Sequence, residues 1–169
     1  MQFSDELFMQ LSGQLIGVYR NRNATDRFLV GYVTAADAQG LLMAPFTQRG
    51  RSAGACFVGG GDVFRVESQS QYLNNFTQRY ALSAQPLQEG CPWLWFWKQA
   101  GKRVVHIRCS RTSLYGIPVR FDSQSAVLLR ILSNGQRKSE VTVTRCDVIL
   151  AEWGTNKTRS VEKKQQEVL

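Results

Sequence analysis
The chain carries few of the side chains from which a reaction centre is built. It has one histidine, His106, and four cysteines, Cys56, Cys91, Cys109 and Cys146, with no C-x-x-C pair among them. A tetrahedral metal site needs several such ligands at short paired spacing, so no metal is expected, and the thiols are read as free and mostly buried in a reduced compartment. His106 falls in a predicted strand without a recognisable nucleophile beside it, which points to a structural or merely exposed residue. Asp37 and Asp122 could pass for an acid pair, but an aspartate at a turn more commonly bonds its own backbone. Gly59-Gly60-Gly61 lacks the lysine and the strand-to-helix setting of a phosphate-binding loop and reads as a tight turn. No catalytic centre and no cofactor are expected, and the chain is read as a non-enzyme.

Binding chemistry is better represented. The formal net charge of the 169 residues is +8. Residues 1–100 hold eight basic and seven acidic side chains, whereas 101–169 hold thirteen basic and six acidic ones. A basic half suggests an anionic partner, although a solvated basic face has the same composition. Arg108, Arg111, Arg120, Arg130, Arg137, Lys138 and Arg145 are the candidate phosphate contacts. The aromatic run Trp93-Leu94-Trp95-Phe96-Trp97 has two readings, a platform on which bases stack or a cover over a barrel end or an interface.

The elements that must position these residues follow from an internal match. Sliding the chain by 85 positions sets residues 31–67 on 116–152 and pairs Gly31 with Gly116, Asp37 with Asp122, Gln39 with Gln124, Gly50 with Gly135, Asp62 with Asp147, Val63 with Val148 and Glu67 with Glu152. These identities far exceed the roughly two that ordinary composition gives over such a window. Upstream, a shift of 88 sets Leu7-Phe8-Met9 on Trp95-Phe96-Trp97 and Gly13 on Gly101. The tryptophan run thereby becomes the counterpart of an N-terminal helix that Ser4 can cap, with Asp5 and Glu6 in its positive first turn. Pro92 suits the first turn of the second helix.

After each helix come five short strands. Their predicted cores are 15–20, 28–35, 41–46, 55–58 and 62–67 in the first half, and 103–108, 114–121, 126–132, 140–144 and 147–152 in the second. Pro118 removes a ladder donor and marks an edge or a bulge. Asp62 and Asp147 are expected to enter the closing strands. Tyr72, Phe76 and Tyr80 recur at helical spacing between the halves. The predicted organisation is a first unit at 1–68, a partly helical linker at 69–90, a second unit at 91–153, and a polar charged tail at 154–169 that frays or forms a loosely docked helix. No apolar run approaches the roughly 20 residues of a membrane span, and the acidic N-terminus does not resemble an export signal, so a soluble cytoplasmic protein without a membrane partner is expected.

Helix, glycine, bent strands and signature turns in this order resemble the Sm-like family. Gly31-x5-Asp37 followed by Leu42, and Gly116-x5-Asp122 followed by Val127, resemble its first signature. Gly60-Gly61-Asp62-Val63 and Arg145-Cys146-Asp147-Val148 resemble its second. The resemblance implies a mainly β protein of two tandem small barrels, each an N-terminal helix on a five-stranded, bent antiparallel sheet. Family members bind oligouridine in rings, using an asparagine where this chain has Leu41 and Ala126, and their Arg-Gly pair is here split between Gly61 and Arg145. Both implied uridine pockets are therefore incomplete. The first expectation is a protein-interaction or assembly module that self-associates or binds another protein. An RNA-binding protein using the basic second half is the alternative, and a small-molecule sensor is third.

Overall fold
The protein is described by a computed structural model covering residues 5–20, 28–63 and 65–168, with Asp5 and Asp62 described by their backbone alone. Ser4 and the side chain of Asp62 thus lie outside the described residues. Helix α1 (Asp5–Gln10) precedes β1 (Leu15–Tyr19), β2 (Leu29–Asp37), β3 (Gly40–Phe46), β4 (Ala55–Gly59), a 3-10 turn at Gly60–Asp62 and β5 (Arg65–Ser68). Helices α2 (Gln71–Tyr80) and α3 (Pro92–Ala100) follow. The second half then runs β6 (Val105–Cys109), β7 (Ser113–Phe121), β8 (Ser125–Ile131), β9 (Arg137–Thr144), a 3-10 turn at Arg145–Asp147, β10 (Val148–Trp153) and α4 (Asn156–Val168).

Local chemistry accounts for the helices. Ser70 accepts a hydrogen bond from the Leu73 amide and caps α2, whose buried face carries Leu73 and Phe76. The tryptophan run is helical, with Pro92 in the first turn, where no amide partner is needed, and Gly101 closing the helix at a positive φ of 57°. The tail forms a full helix rather than a frayed end. Thr155 accepts from the Thr158 amide at its start, and Val161 is buried with Val104 and Ile131.

The strands form one continuous antiparallel sheet in the order β5-β1-β2-β3-β4-β10-β6-β7-β8-β9. The sheet is open, with β5 and β9 at its edges. Two barrels standing apart are therefore not what the structure contains, because β4 of the first half pairs with β10 of the second. The physical reason is in β4 itself. Its residues Ala55-Cys56-Phe57-Val58-Gly59 are all buried, so the strand needs cover on both faces and a ladder on both sides.

Each half has the same internal order, β5-β1-β2-β3-β4 and β10-β6-β7-β8-β9. The register also corrects one detail of the sequence match. Ile16 pairs with Gly31 and Val105 with Gly116, so Ile16 corresponds to Val105 at a shift of 89, one more than the 88 that aligned the helices. A one-residue slip would turn every β1 side chain to the other face, so the ladder decides. Pro118 sits where the β7–β8 register shifts, with Arg120 rather than Val119 facing Val127. Asp147 stands in the 3-10 turn ahead of β10 rather than in the strand.

One apolar core lies inside the first half, built on Phe8, Ile16, Val18, Val33, Leu41, Met43, Cys56 and Val58, and it takes Leu150 from β10. A second core joins the halves. Trp93, Phe96, Trp97 and Ala100 of α3 pack with Ala35, Leu42 and Phe57 from the first half and with Val105, Ile107, Leu128 and Val148 from the second. Trp93 meets Phe57 edge-on at 5.4 Å between ring centroids and donates its Nε1 hydrogen to the Asp122 carbonyl at 2.9 Å. Trp93→Ala would remove this bridge and leave a large void. The expected loss is about 3–5 kcal/mol of folding stability, read from urea denaturation.

Candidate functional site
Because β4 needs a partner strand, the most informative site is the seam where β10 meets it. Val58 faces Leu150, Phe57 faces Ala151, Cys56 faces Glu152 and Ala55 faces Trp153 across an antiparallel ladder. Helix α3 lies over this joint, packed on β2, β3 and β4 as well as on β7. At Gly59, an added Cβ would stand 2.4 Å from the Val148 carbonyl oxygen, so close backbone contact at that end of the seam depends on glycine.

One polar pair at the seam is held side chain to side chain, whereas the buried Nε1 groups of Trp153 and Trp97 have no hydrogen-bond partner among the described residues. Glu152 lies opposite His106 on β6, with its Oε1 3.0 Å from the histidine Nδ1, and the imidazole rests on the Tyr115 ring. His106 is only 8% exposed and bridges two strands through Glu152. Burial, reinforced by the Glu152 carboxylate, pushes the Cys56 thiol far up from its ordinary pKa. Burial and then Asp147 raise Cys109. Among the described residues no group of His, Cys, Asp or Glu is placed to hold a metal ion.

The acid pair is dispersed into two turns. Asp37 accepts from the Gln39 and Gly40 amides and Asp122 from the Gln124 and Ser125 amides, so each carboxylate fixes the hairpin that follows it. The two glycines aligned with them stand where backbone packing is close: a Cβ on Gly31 would meet the Ala44 carbonyl oxygen at 2.6 Å, and one on Gly116 the Leu128 Cβ at 2.8 Å. Gly59-Gly60-Gly61 ends β4 and opens the 3-10 turn, where the Gly60 amide donates to the Gln39 carbonyl. The Arg145 amide donates to the Gln124 carbonyl in the same way.

The basic candidates are spread over neighbouring elements of the second half. Arg108 is on β6, Arg111 in the following turn, Arg120 on β7, Arg130 on β8, and Arg137 with Lys138 at the start of the edge strand β9. Arg120 is engaged with Glu140 at 3.7 Å. Arg145 is different in setting. It is half-buried in a cleft of about 330 Å³ at the seam, formed with Gln39 and Gly61 from the first half and Ser110, Asp147 and Ile149 from the second. Asp147 accepts a short hydrogen bond from Ser110, and among the described residues no carboxylate pairs with the Arg145 guanidinium. The cleft was missed in the sequence because its walls come from residues far apart in the chain. The seam itself had a readable signal: β4 is continuously apolar, whereas β9 alternates.

Comparison with protein-family models, with curated proteins and with solved structures finds no match to the chain.

Two measurements check this account. The exposed Cys146 should react with a thiol reagent in the native protein, while Cys56 should react only on unfolding; rapid native labelling of Cys56 would contradict the buried seam. The amides of Gln124 and Ser125 hold the Asp122 carboxyl below the usual carboxylate range. Its contribution is therefore complete above the ordinary Asp value of about 3.9 and is lost as pH falls through the lowered folded value. Asp122→Ala should lower the melting temperature at neutral pH, and the difference from wild type should shrink near about pH 2.

Proposed function
We propose that the chain is a non-enzymatic assembly module made of two diverged Sm-like units, which binds other chains by adding their strands to its open edges. The β4–β10 ladder carries this reading, since it is one unit accepting the edge strand of another. Shared strand order, paired aspartate turns and paired 3-10 turns support the likeness between the units. Strand addition takes its affinity from main-chain hydrogen bonds and its selectivity from alternate side chains. Among the described residues, β5 and β9 each lack a strand on their outer side and so offer such a row of groups.

Light scattering during size exclusion tests the proposal. The expected particle is a multiple of the 19.1 kDa chain or a complex with a co-purifying protein. Proline placed at Val141 or at Thr142 should reduce it in one of the two variants, because neighbouring residues of a strand direct their amides to opposite sides. A bare monomer at tens of micromolar, unchanged by either proline, would overturn the reading.

The Arg145 cleft favours a second reading, in which single-stranded RNA places a phosphate or a base at the seam. A short oligoribonucleotide should then bind with an affinity that falls steeply with salt, and Arg145→Glu, or charge reversal at Arg137 and Lys138, should weaken it further. An absorbance ratio at 260 and 280 nm characteristic of protein alone, together with no binding at micromolar RNA, removes this reading.

A further inference from the structure
We infer that the groove between α2 and the first half of the sheet binds an extended proline-rich peptide flanked by acidic residues. A second copy of the same arrangement, inside the same chain, sets this groove apart. At the shift of 85 Ser70 falls on Thr155, and each caps the helix that follows the closing strand of its half. Gln69 and Gly154, both at positive φ, turn the chain just ahead of these caps. Leu73, Phe76 and Tyr80 then fall on Thr158, Val161 and Gln165. The seats also correspond, since a Cβ on Gly50 would collide with the Tyr80 ring and one on Gly135 with the backbone at Lys164 and Gln165. Helices α2 and α4 are thus the same element, and α4 shows how little its docking requires. Its buried residues are only Thr158, Val161 and Gln165.

The first half carries more aromatic surface than that. A groove of about 450 Å³ is lined by Phe28, Phe46, Tyr72 and Phe76, with Thr47 and Gln48 among its polar groups. The four aromatic positions correspond to Ser113, Ile131, Lys157 and Val161. The one aromatic gained in exchange, Tyr115 for Val30, rests on His106. Tyr72 stays half exposed, and among the described residues its hydroxyl makes no hydrogen bond. Rings kept wet beside a concave surface are suited to covering a ligand.

Spacing, hydrogen bonding and charge select the ligand. A polyproline helix advances about 3.1 Å per residue, so alternate residues lie roughly 6 Å apart. The Tyr72 and Phe76 ring centroids are 6.1 Å apart. Proline offers carbonyl acceptors and no amide donor, which suits the Tyr72 hydroxyl and the Gln48 side-chain amide as donors. Phe28 meets Tyr72 at 76° and Phe76 meets Tyr80 at 65°, a ridged floor for pyrrolidine rings rather than parallel faces for bases. The rim is basic. Arg49 and Arg51 are exposed in the turn beside Gln48, and Arg79 lies over the Tyr80 ring, whose hydroxyl donates to the Gln48 carbonyl. Neither that turn, residues 47–52, nor α2 contains an acidic residue, and Glu67 is engaged with Arg65 and the Tyr19 hydroxyl. Acidic residues beside the prolines complement this rim, and a cationic ligand does not.

The test is fluorescence anisotropy of the full chain with a labelled octaproline carrying paired glutamates at each end. The chain should bind this probe at sub-millimolar concentration and should not bind a glycine-serine peptide with the same ends. Tyr72→Ala should weaken binding by about tenfold or more, as loss of an aromatic anchor does. Tyr72→Phe, which keeps the ring and loses the hydroxyl, should have a smaller effect. Both variants should melt close to wild type, because the side chain is half exposed. Lys157→Ala, at the aligned position of α4, should leave binding unchanged, and lysines in place of the probe's glutamates should weaken it. No binding at millimolar probe, equal affinity for the glycine-serine peptide, or an undiminished Tyr72→Ala chain would each overturn the assignment. So would an oligoribonucleotide that displaces the probe from the wild-type chain and loses its own binding in Tyr72→Ala, since the groove would then belong to RNA.

Discussion

The structure depends on a strand that cannot be left uncovered. β4 is apolar on both faces, and the antiparallel ladder to β10 with α3 laid over it is what removes it from water. Each alternative is costly: an exposed edge would leave unpaired amides and carbonyls beside Phe57 and Cys56, and a ladder without α3 would leave the Phe57 and Leu42 side chains wet. The largest side chains of the shared core, Trp93, Trp97 and Phe96, are spent on this single joint. The rest of the sheet is built outwards from it by hairpins, and its two ends are what the centre is not, short or charged strands.

Two halves with one strand order therefore have unlike surfaces. In the first half β2 and β4 are largely buried, whereas in the second half β7 is only partly covered and β9 is mostly open to solvent. For β4 and β9 the difference follows position in the sheet, since β4 is central and β9 is an edge; for β2 and β7, each third from an edge, it follows what packs on the face. That is why aspartates aligned by the self-match keep the same turn hydrogen bonds, while the residues aligned with Phe57 and Ala35 have become Thr142 and Arg120. Turn chemistry is local and serves both halves alike. Surface chemistry answers to whatever lies next door.

Much of the fold was legible because it is local. Glycine and aspartate marked the hairpins, Pro118 marked an edge or a bulge, and the match to Leu7-Phe8-Met9 made Trp95-Phe96-Trp97 a helix rather than a platform for bases. The match was nonetheless one residue out, since Gly13 and Gly101 align as sequence while Ile16 and Val105 align as ladder partners. Loop residues between helix and strand absorb such a slip without any periodic signal. The pairing of β4 with β10 was not legible, because an apolar run says that a strand is covered and not by what. The Arg145 cleft was hidden for the same reason, being made by the seam and absent from either half.

The seam also orders events in time. Its paired residues lie more than ninety positions apart, so the contact that completes β4 forms late relative to the hairpins, which close between near neighbours. During synthesis the first half can fold while the strand it needs has not yet been made. Through that interval Ala55-Cys56-Phe57-Val58 is an apolar edge facing solvent and facing other nascent chains. One bare strand is enough for this hazard. Folding yield should therefore be set by the wait for β10, and a chain truncated ahead of Val148 is the form most exposed to aggregation.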